Sequence, residues 1–304
     1  MHTTALSALS VFNGLRSALA PLYGAGEARA VAFLLLEEGF GVRRTDVYAG
    51  KVIDFSDAAA ARLRDMSARL AGGEPVQYVL GHAVFRSLRF KVTPAVLIPR
   101  PETEELVEWA LAEARGMADG GACAPRVLDA GTGSGCIAVS LKAALPAARV
   151  EAWDISAAAL AVAHENAARH CAAVRFVQRD MLRPWDAEGA EAGDGQRRFD
   201  LIVSNPPYIC ERERAEMEPL VTDNEPSAAL FVPDADPLLF YRALAAGAAA
   251  TLRPGGRLLV EANRAYARAT AELFRACGFE GVEVRRDAYG NERMVCATLP
   301  SARA

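Results

Sequence analysis

Long hydrophobic runs, paired cysteines and an excess of positive charge are all missing from this 304-residue chain. No apolar run approaches the ~18 residues that a membrane helix needs, so no transmembrane span is expected. No basic residue precedes Arg16, which argues against a secretory leader. The six cysteines, at 123, 136, 171, 210, 277 and 296, form no Cys-x-x-Cys pair or other zinc spacing. They read as free thiols, so no metal is expected and the expected location is the cytoplasm. A formal charge of −4 and a pI near 5.7 argue against direct recognition of nucleic acid, which usually leaves a basic patch. Residues 1–98 hold eleven Lys/Arg against eight Asp/Glu, a net +3, and the remainder carries −7.

What is present is concentrated at the ends of strand-like runs. Phe199 to Ser204 leads into Asn205-Pro206-Pro207-Tyr208. Two prolines cannot donate to a ladder, so pairing stops there and Asn205 is presented at the strand end beside unpaired carbonyls. A side-chain amide oxygen next to free carbonyls is a cradle for an NH2 group. The stretch from Arg126 to Cys136 runs from an apolar strand through Asp129 into Gly131-Thr132-Gly133-Ser134-Gly135, and a helical pattern follows. Such a loop also serves dinucleotides. The carboxylate of Asp129, however, would repel a pyrophosphate and suit a cation, which favours S-adenosyl-L-methionine over NAD. Asp154 closes the next strand, about twenty residues past the glycines, where an acid accepts ribose hydroxyls or caps the helix that follows. A third strand, Val174 to Gln178, ends at Asp180-Met181. That spacing puts Met181 against an adenine ring, with a core methionine as the plain alternative.

Helical spacing predicts helices over residues 4–20 and 25–38 and from Ala58 to Leu70, with shorter pieces at Arg43 to Tyr48 and Val76 to Leu80. This gives a helical domain over 1–80, read as a substrate-recognition module. A hairpin-like linker follows over 81–99, and from 100 to 304 strands and helices alternate as in a mostly parallel α/β sheet. Asp186 to Gln196 reads as a surface loop.

Several stretches together carry a family resemblance. They are Gly73 to Tyr78, Leu97-Ile98-Pro99-Arg100-Pro101-Glu102-Thr103-Glu104, the glycine loop, Asn205 to Tyr208, Asn224-Glu225-Pro226, and Asp287 to Arg293. In these the chain resembles the protein N5-glutamine methyltransferases, most closely the bacterial release-factor glutamine methyltransferases. The resemblance implies a seven-stranded Rossmann-like class I methyltransferase sheet with one antiparallel strand. It also implies a monomer that acts on the Gly-Gly-Gln loop of release factors. Asn205, Pro206 and Tyr208 would be catalytic, and Asn205 to Tyr208 together would bind the substrate. Asp129, Gly131 to Gly135, Asp154, Met181 and Asn205 would bind the cofactor. Arg100 is expected either to pair with an acid near the cofactor or to fix the linker, and Glu225-Pro226 either to shape the acceptor pocket or to form a turn. The sequence departs from the family at Phe231 to Leu238 and at Glu261-Ala262-Asn263-Arg264. Three rivals remain: a ribosomal-protein glutamine methyltransferase, an adenine-N6 methyltransferase, and a non-catalytic cofactor-binding protein.

Overall fold

The computed structural model describes residues 3–119, 124–185 and 199–301, so the loop expected over Asp186 to Gln196 lies outside the described residues. The chain divides into two compact units, Met1–Ala83 with Glu218–Asn224, and Val84–Met217 with Glu225–Ala304.

In the first unit the dominant element is the helix Ala8–Phe40. Gly24 breaks it with φ 72° and ψ 170°, three residues after Pro21, whose missing N–H already weakens the ladder there. The break separates the two helical periods seen in the sequence. The helix passes a length-and-composition test for crossing a membrane. It nevertheless buries Phe12, Leu15, Leu19, Leu35 and Leu36 in this unit's own core, with Phe12 and Phe33 stacked at 4.3 Å. Residues 4–7 correct the helical expectation. Thr3–Ser7 is a strand, antiparallel to Val52–Ser56, and a partner that far along the chain leaves no trace in local periodicity. Ser56 then caps the helix Asp57–Ala71 by accepting the Ala59 N–H at 3.2 Å. Arg69 holds both oxygens of Glu74 at 2.7 and 2.6 Å. Asn224 Nδ2 donates to the Gly73 carbonyl at 2.8 Å.

The second unit is built on a seven-stranded sheet. In chain order its strands are β1 Arg126–Ala130, β2 Arg149–Asp154, β3 Val174–Gln178, β4 Phe199–Ser204, β5 Leu252–Glu261, β6 Glu280–Arg286 and β7 Glu292–Thr298. The order across the sheet is β6-β7-β5-β4-β1-β2-β3, and β7 alone runs antiparallel to its neighbours. This is the sheet that the resemblance implied. Alternation sorts the strand side chains onto two cores. Val127, Leu201, Val203 and Leu259 face one, with Trp109, Ile137 and Leu141. Leu128, Ile202, Leu258 and Val260 face the other, with Tyr241, Leu244 and Phe274. All six residues of β4 are buried, as expected of a central parallel strand covered on both faces. His82–Phe85 and Leu88–Lys91 form the expected hairpin, turned by Arg86 and Ser87 at positive φ.

Candidate active site

A cavity of about 410 Å3 opens at the carboxyl ends of the central strands. Its wall takes Gly131 after β1, Asp154 at the end of β2, Met181 after β3 and Asn205 after β4. Ligands of open α/β sheets bind at this edge because the strand order reverses between β1 and β4.

The glycine loop is held from below. Gly131 and Thr132 donate their N–H groups to the Trp153 carbonyl at 2.9 and 2.8 Å, tying the loop to β2. Gly131, Gly133 and Gly135 all have positive φ, at 79°, 54° and 81°. At Gly135 the constraint is also steric, since a Cβ would stand 3.1 Å from the Ala163 Cβ and 3.3 Å from its Cα. That close approach lets Cys136–Ala144 start against the neighbouring helix Ala157–Arg169. Gly135→Ala combines left-handed strain with overpacking. It is expected to cost about 2–4 kcal/mol, read as a lowered midpoint in denaturant unfolding.

Asp129 lies beneath this loop and not on the cavity wall. It is fully buried, and its Oδ2 accepts from the Thr132 hydroxyl at 2.6 Å and from the Ala138 N–H at 3.1 Å. Its Oδ1 is buried with no hydrogen-bond partner. Asp154 is on the wall. Its Oδ2 accepts the Gly133 N–H at 2.8 Å and its Oδ1 the Ser156 N–H at 2.9 Å. The helix that follows is capped by Ser156, which accepts the Ala159 N–H at 3.1 Å. Asp154 is therefore not that helix's cap; it braces the loop from the far side. Asp180 and Met181 both reach the cavity, and a Cβ on Gly131 would stand 2.8 Å from the Met181 Cε.

At the end of β4, beside the end of β1, Asn205 Nδ2 donates to the Thr103 hydroxyl oxygen at 3.1 Å, and Thr103 donates to Glu261 Oε2 at 2.7 Å. Tyr208 donates its hydroxyl to Glu261 Oε1 at 3.1 Å, and burial raises its pKa well above the usual phenol value. Pro207 lines the cavity beside Asn205. Glu225, 5% exposed, takes the Ile98 N–H at 3.0 Å on Oε2 and the Arg100 guanidinium at 2.5 Å on Oε1. Arg100 thus pairs with an acid, Glu225, and the same carboxylate also holds the backbone of the linker at Ile98. Residues 97, 99, 100 and 226 then contribute to the wall near Asn205.

The methyltransferase small domain matches residues 118–223, and the PrmC N-terminal domain matches 13–81. A release factor glutamine methyltransferase of Bacteroides thetaiotaomicron is 42% identical over 93% of this chain and 97% of its own length. One of Cereibacter sphaeroides is 44% identical over 95% and 99%. The chain belongs to the release factor glutamine methyltransferase family. A solved release-factor-specific protein-(glutamine-N5) methyltransferase from Alicyclobacillus acidocaldarius is 33% identical over 69% of this chain and 99% of that one, with a TM-score of 0.41.

Like other members of the family, the chain is an S-adenosylmethionine-dependent methyltransferase, and its cavity fits that cofactor. The lining carries the carboxylates of Asp154 and Asp180 together with Arg100 and Arg179, and Asp129 braces the glycine loop from below. Gly131, at φ 79°, lets a ligand approach the backbone where a Cβ would press on the Met181 Cε at 2.8 Å. Burial pushes the Asp129 carboxyl up to about 7, against the hydrogen bonds that lower it. Its contribution to the stability of the unliganded methyltransferase is therefore full below the ordinary aspartate value of roughly 4 and lost as the pH rises through about 7. Thermal unfolding between these limits should show that decline, and Asp129→Asn should flatten it. A variant profile as steep as the parent's would refute the assignment.

Sequence reasoning gives no role to Thr103 or Glu261. A lone acid ending the apolar run Leu258-Leu259-Val260 is the signal that could have found the second, because a buried carboxylate needs donors.

Proposed function

We propose that this enzyme transfers a methyl group from S-adenosyl-L-methionine to the side-chain amide nitrogen of the glutamine in the Gly-Gly-Gln loop of peptide chain release factors. The observation that carries the reading is Asn205, set in the cavity wall where β4 ends beside β1 and the start of the glycine loop, with its Nδ2 occupied by Thr103. The amide oxygen is then the atom left for an acceptor, and Pro206 adds a backbone carbonyl after a strand that can pair no further.

The cofactor supplies a methyl group already activated by a sulfonium. On its side of the cavity, Asp154 would take the ribose hydroxyls, Met181 the adenine face, and residues 131–135 the remainder. An amide nitrogen is a weak nucleophile because its lone pair is delocalised, so the chain contributes chiefly by positioning. The Asn205 Oδ1 and the Pro206 carbonyl would each accept one N–H of the substrate amide. Positive charge growing on that nitrogen strengthens both bonds, and the nitrogen then sheds one proton to solvent. Tyr208, pinned through its hydroxyl, would give the acceptor a flat wall. The helical N-terminal region would help grip the release factor. We expect a cytoplasmic monomer that needs no nucleic acid.

The test is mass spectrometry of purified release factor and of a large-subunit ribosomal protein after incubation with enzyme and cofactor. One methyl gained on the Gly-Gly-Gln glutamine is the expected result. Gain only on the ribosomal protein would move the substrate to that branch. Gain on neither, with cofactor bound, would reject the reading.

A further inference from the structure

Asparagine has two nearly isosteric amide orientations, and only one turns its oxygen towards an acceptor in the cavity. What selects between them is a matter of counting protons. The Thr103 hydroxyl carries a single hydrogen, and Glu261 Oε2 takes it at 2.7 Å. The other oxygen of Glu261 is already engaged by the Tyr208 hydroxyl at 3.1 Å, so the carboxylate holds one hydroxyl on each side. Thr103 therefore meets Asn205 with a lone pair, and the atom it accepts from at 3.1 Å has to be Nδ2. Turning the amide over would set Oδ1 against that lone pair with no hydrogen between them.

We infer that Thr103, held by Glu261, is a positioning residue that fixes the Asn205 amide with its oxygen facing the acceptor. The inference rests on the role proposed for Asn205. Thr103 and Glu261 are 2% and 1% exposed, so water does not compete for these bonds. Thr103 sits in the first turn of the helix Pro101–Asp119, Asn205 follows β4, and Glu261 closes β5. The β4–β5 register sets Val260 opposite Ser204, which puts the strand-end asparagine and the strand-end glutamate side by side. The reach from Thr103 to Glu261 spans 158 positions of sequence. The family's Pro-Glu-Thr-Glu string thus acquires a physical purpose, because it delivers one hydroxyl to the catalytic amide.

The experiment uses the full chain with S-adenosylmethionine and whichever protein it methylates, and compares Thr103→Val, Thr103→Ser, Glu261→Gln and Asn205→Ala. Valine keeps the shape and removes the hydroxyl. It is expected to lower kcat about 10- to 50-fold, with KM, the cofactor Kd from calorimetry and the melting temperature close to the parent's. Serine restores the hydroxyl and should recover kcat to within about threefold. Glutamine at 261 puts an N–H where one acceptor oxygen stood, and should lower kcat in the same sense at conserved size. A parent-like kcat in both Thr103→Val and Glu261→Gln would overturn the inference. So would serine performing as poorly as valine, or a cofactor Kd that weakens as much as kcat falls. Asn205→Ala separates this failure from a deeper one. If that variant turns over normally, the role of Asn205 itself is wrong; if it is inactive while Thr103→Val is not, only the positioning role falls.

Discussion

Asn205→Ala is expected to lower kcat by about 10³-fold or more while changing the affinity for S-adenosylmethionine by no more than about threefold. The substitution removes the side-chain acceptor and leaves only the Pro206 carbonyl for two amide hydrogens. That acceptor gains strength only as charge develops on the substrate nitrogen, so its loss appears in the transition state and not in ground-state binding. Asn205→Asp makes a sharper companion. It supplies an acceptor again, but both its oxygens lack hydrogen, and Thr103 has already given its proton to Glu261. A second carboxylate close to the buried Glu261 would also be costly, since burial already raises the pKa of Glu261. The aspartate variant should therefore resemble alanine more than the parent. Steady-state kinetics with calorimetric cofactor titration checks both variants. Loss of cofactor affinity in step with kcat would place Asn205 in binding and remove it from the chemistry.

The parts of this enzyme that are legible in its sequence are so through local rules. Gly131, Gly133 and Gly135 mark left-handed turns, and Pro206 and Pro207 mark the place where β4 stops pairing. The apolar runs of β1, β4 and β5 are continuous because both their faces are covered. Contacts assembled by topology stay out of sight. Thr3–Ser7 is a strand because Val52–Ser56 lies beside it, and no window of a dozen residues contains both. The sequence sets Asp129 next to the loop, but only the fold shows that it sits below the glycines, holding Thr132 and Ala138. Tyr208 reads as a bare aromatic wall, yet its hydroxyl is committed to Glu261. In each case the residue type is legible and the partner is not, because the partner arrives from another strand or helix.

Asp154→Asn is expected to weaken S-adenosylmethionine binding by about 10²-fold, although it conserves size and shape. The reason lies in the two backbone groups that Asp154 already serves. Its oxygens accept the Gly133 and Ser156 N–H groups at 2.8 and 2.9 Å, and a carboxylate can satisfy both because neither oxygen carries a hydrogen. An asparagine has one oxygen to offer, so its NH2 must face one of these donors. The loop then moves at Gly133, or the start of the next helix moves at Ser156, and the acceptor for a ligand's hydroxyl groups moves with it. The same defect can be produced by acid. Burial holds the pKa of Asp154 above the ordinary aspartate value, so it takes up a proton at a milder pH than a free aspartate. Cofactor affinity should accordingly fall as the pH is lowered towards that raised value. The stability of the unliganded protein runs the other way: the contribution from Asp154 is complete below the ordinary value and is lost as the pH rises through the raised one. Calorimetric titration of the cofactor across pH, for the parent and for Asp154→Asn, reads the effect on affinity, and thermal unfolding across the same range reads the effect on stability. A variant that binds as tightly as the parent, or that keeps the parent's acid limb, would show that the two backbone bonds do not govern the cavity.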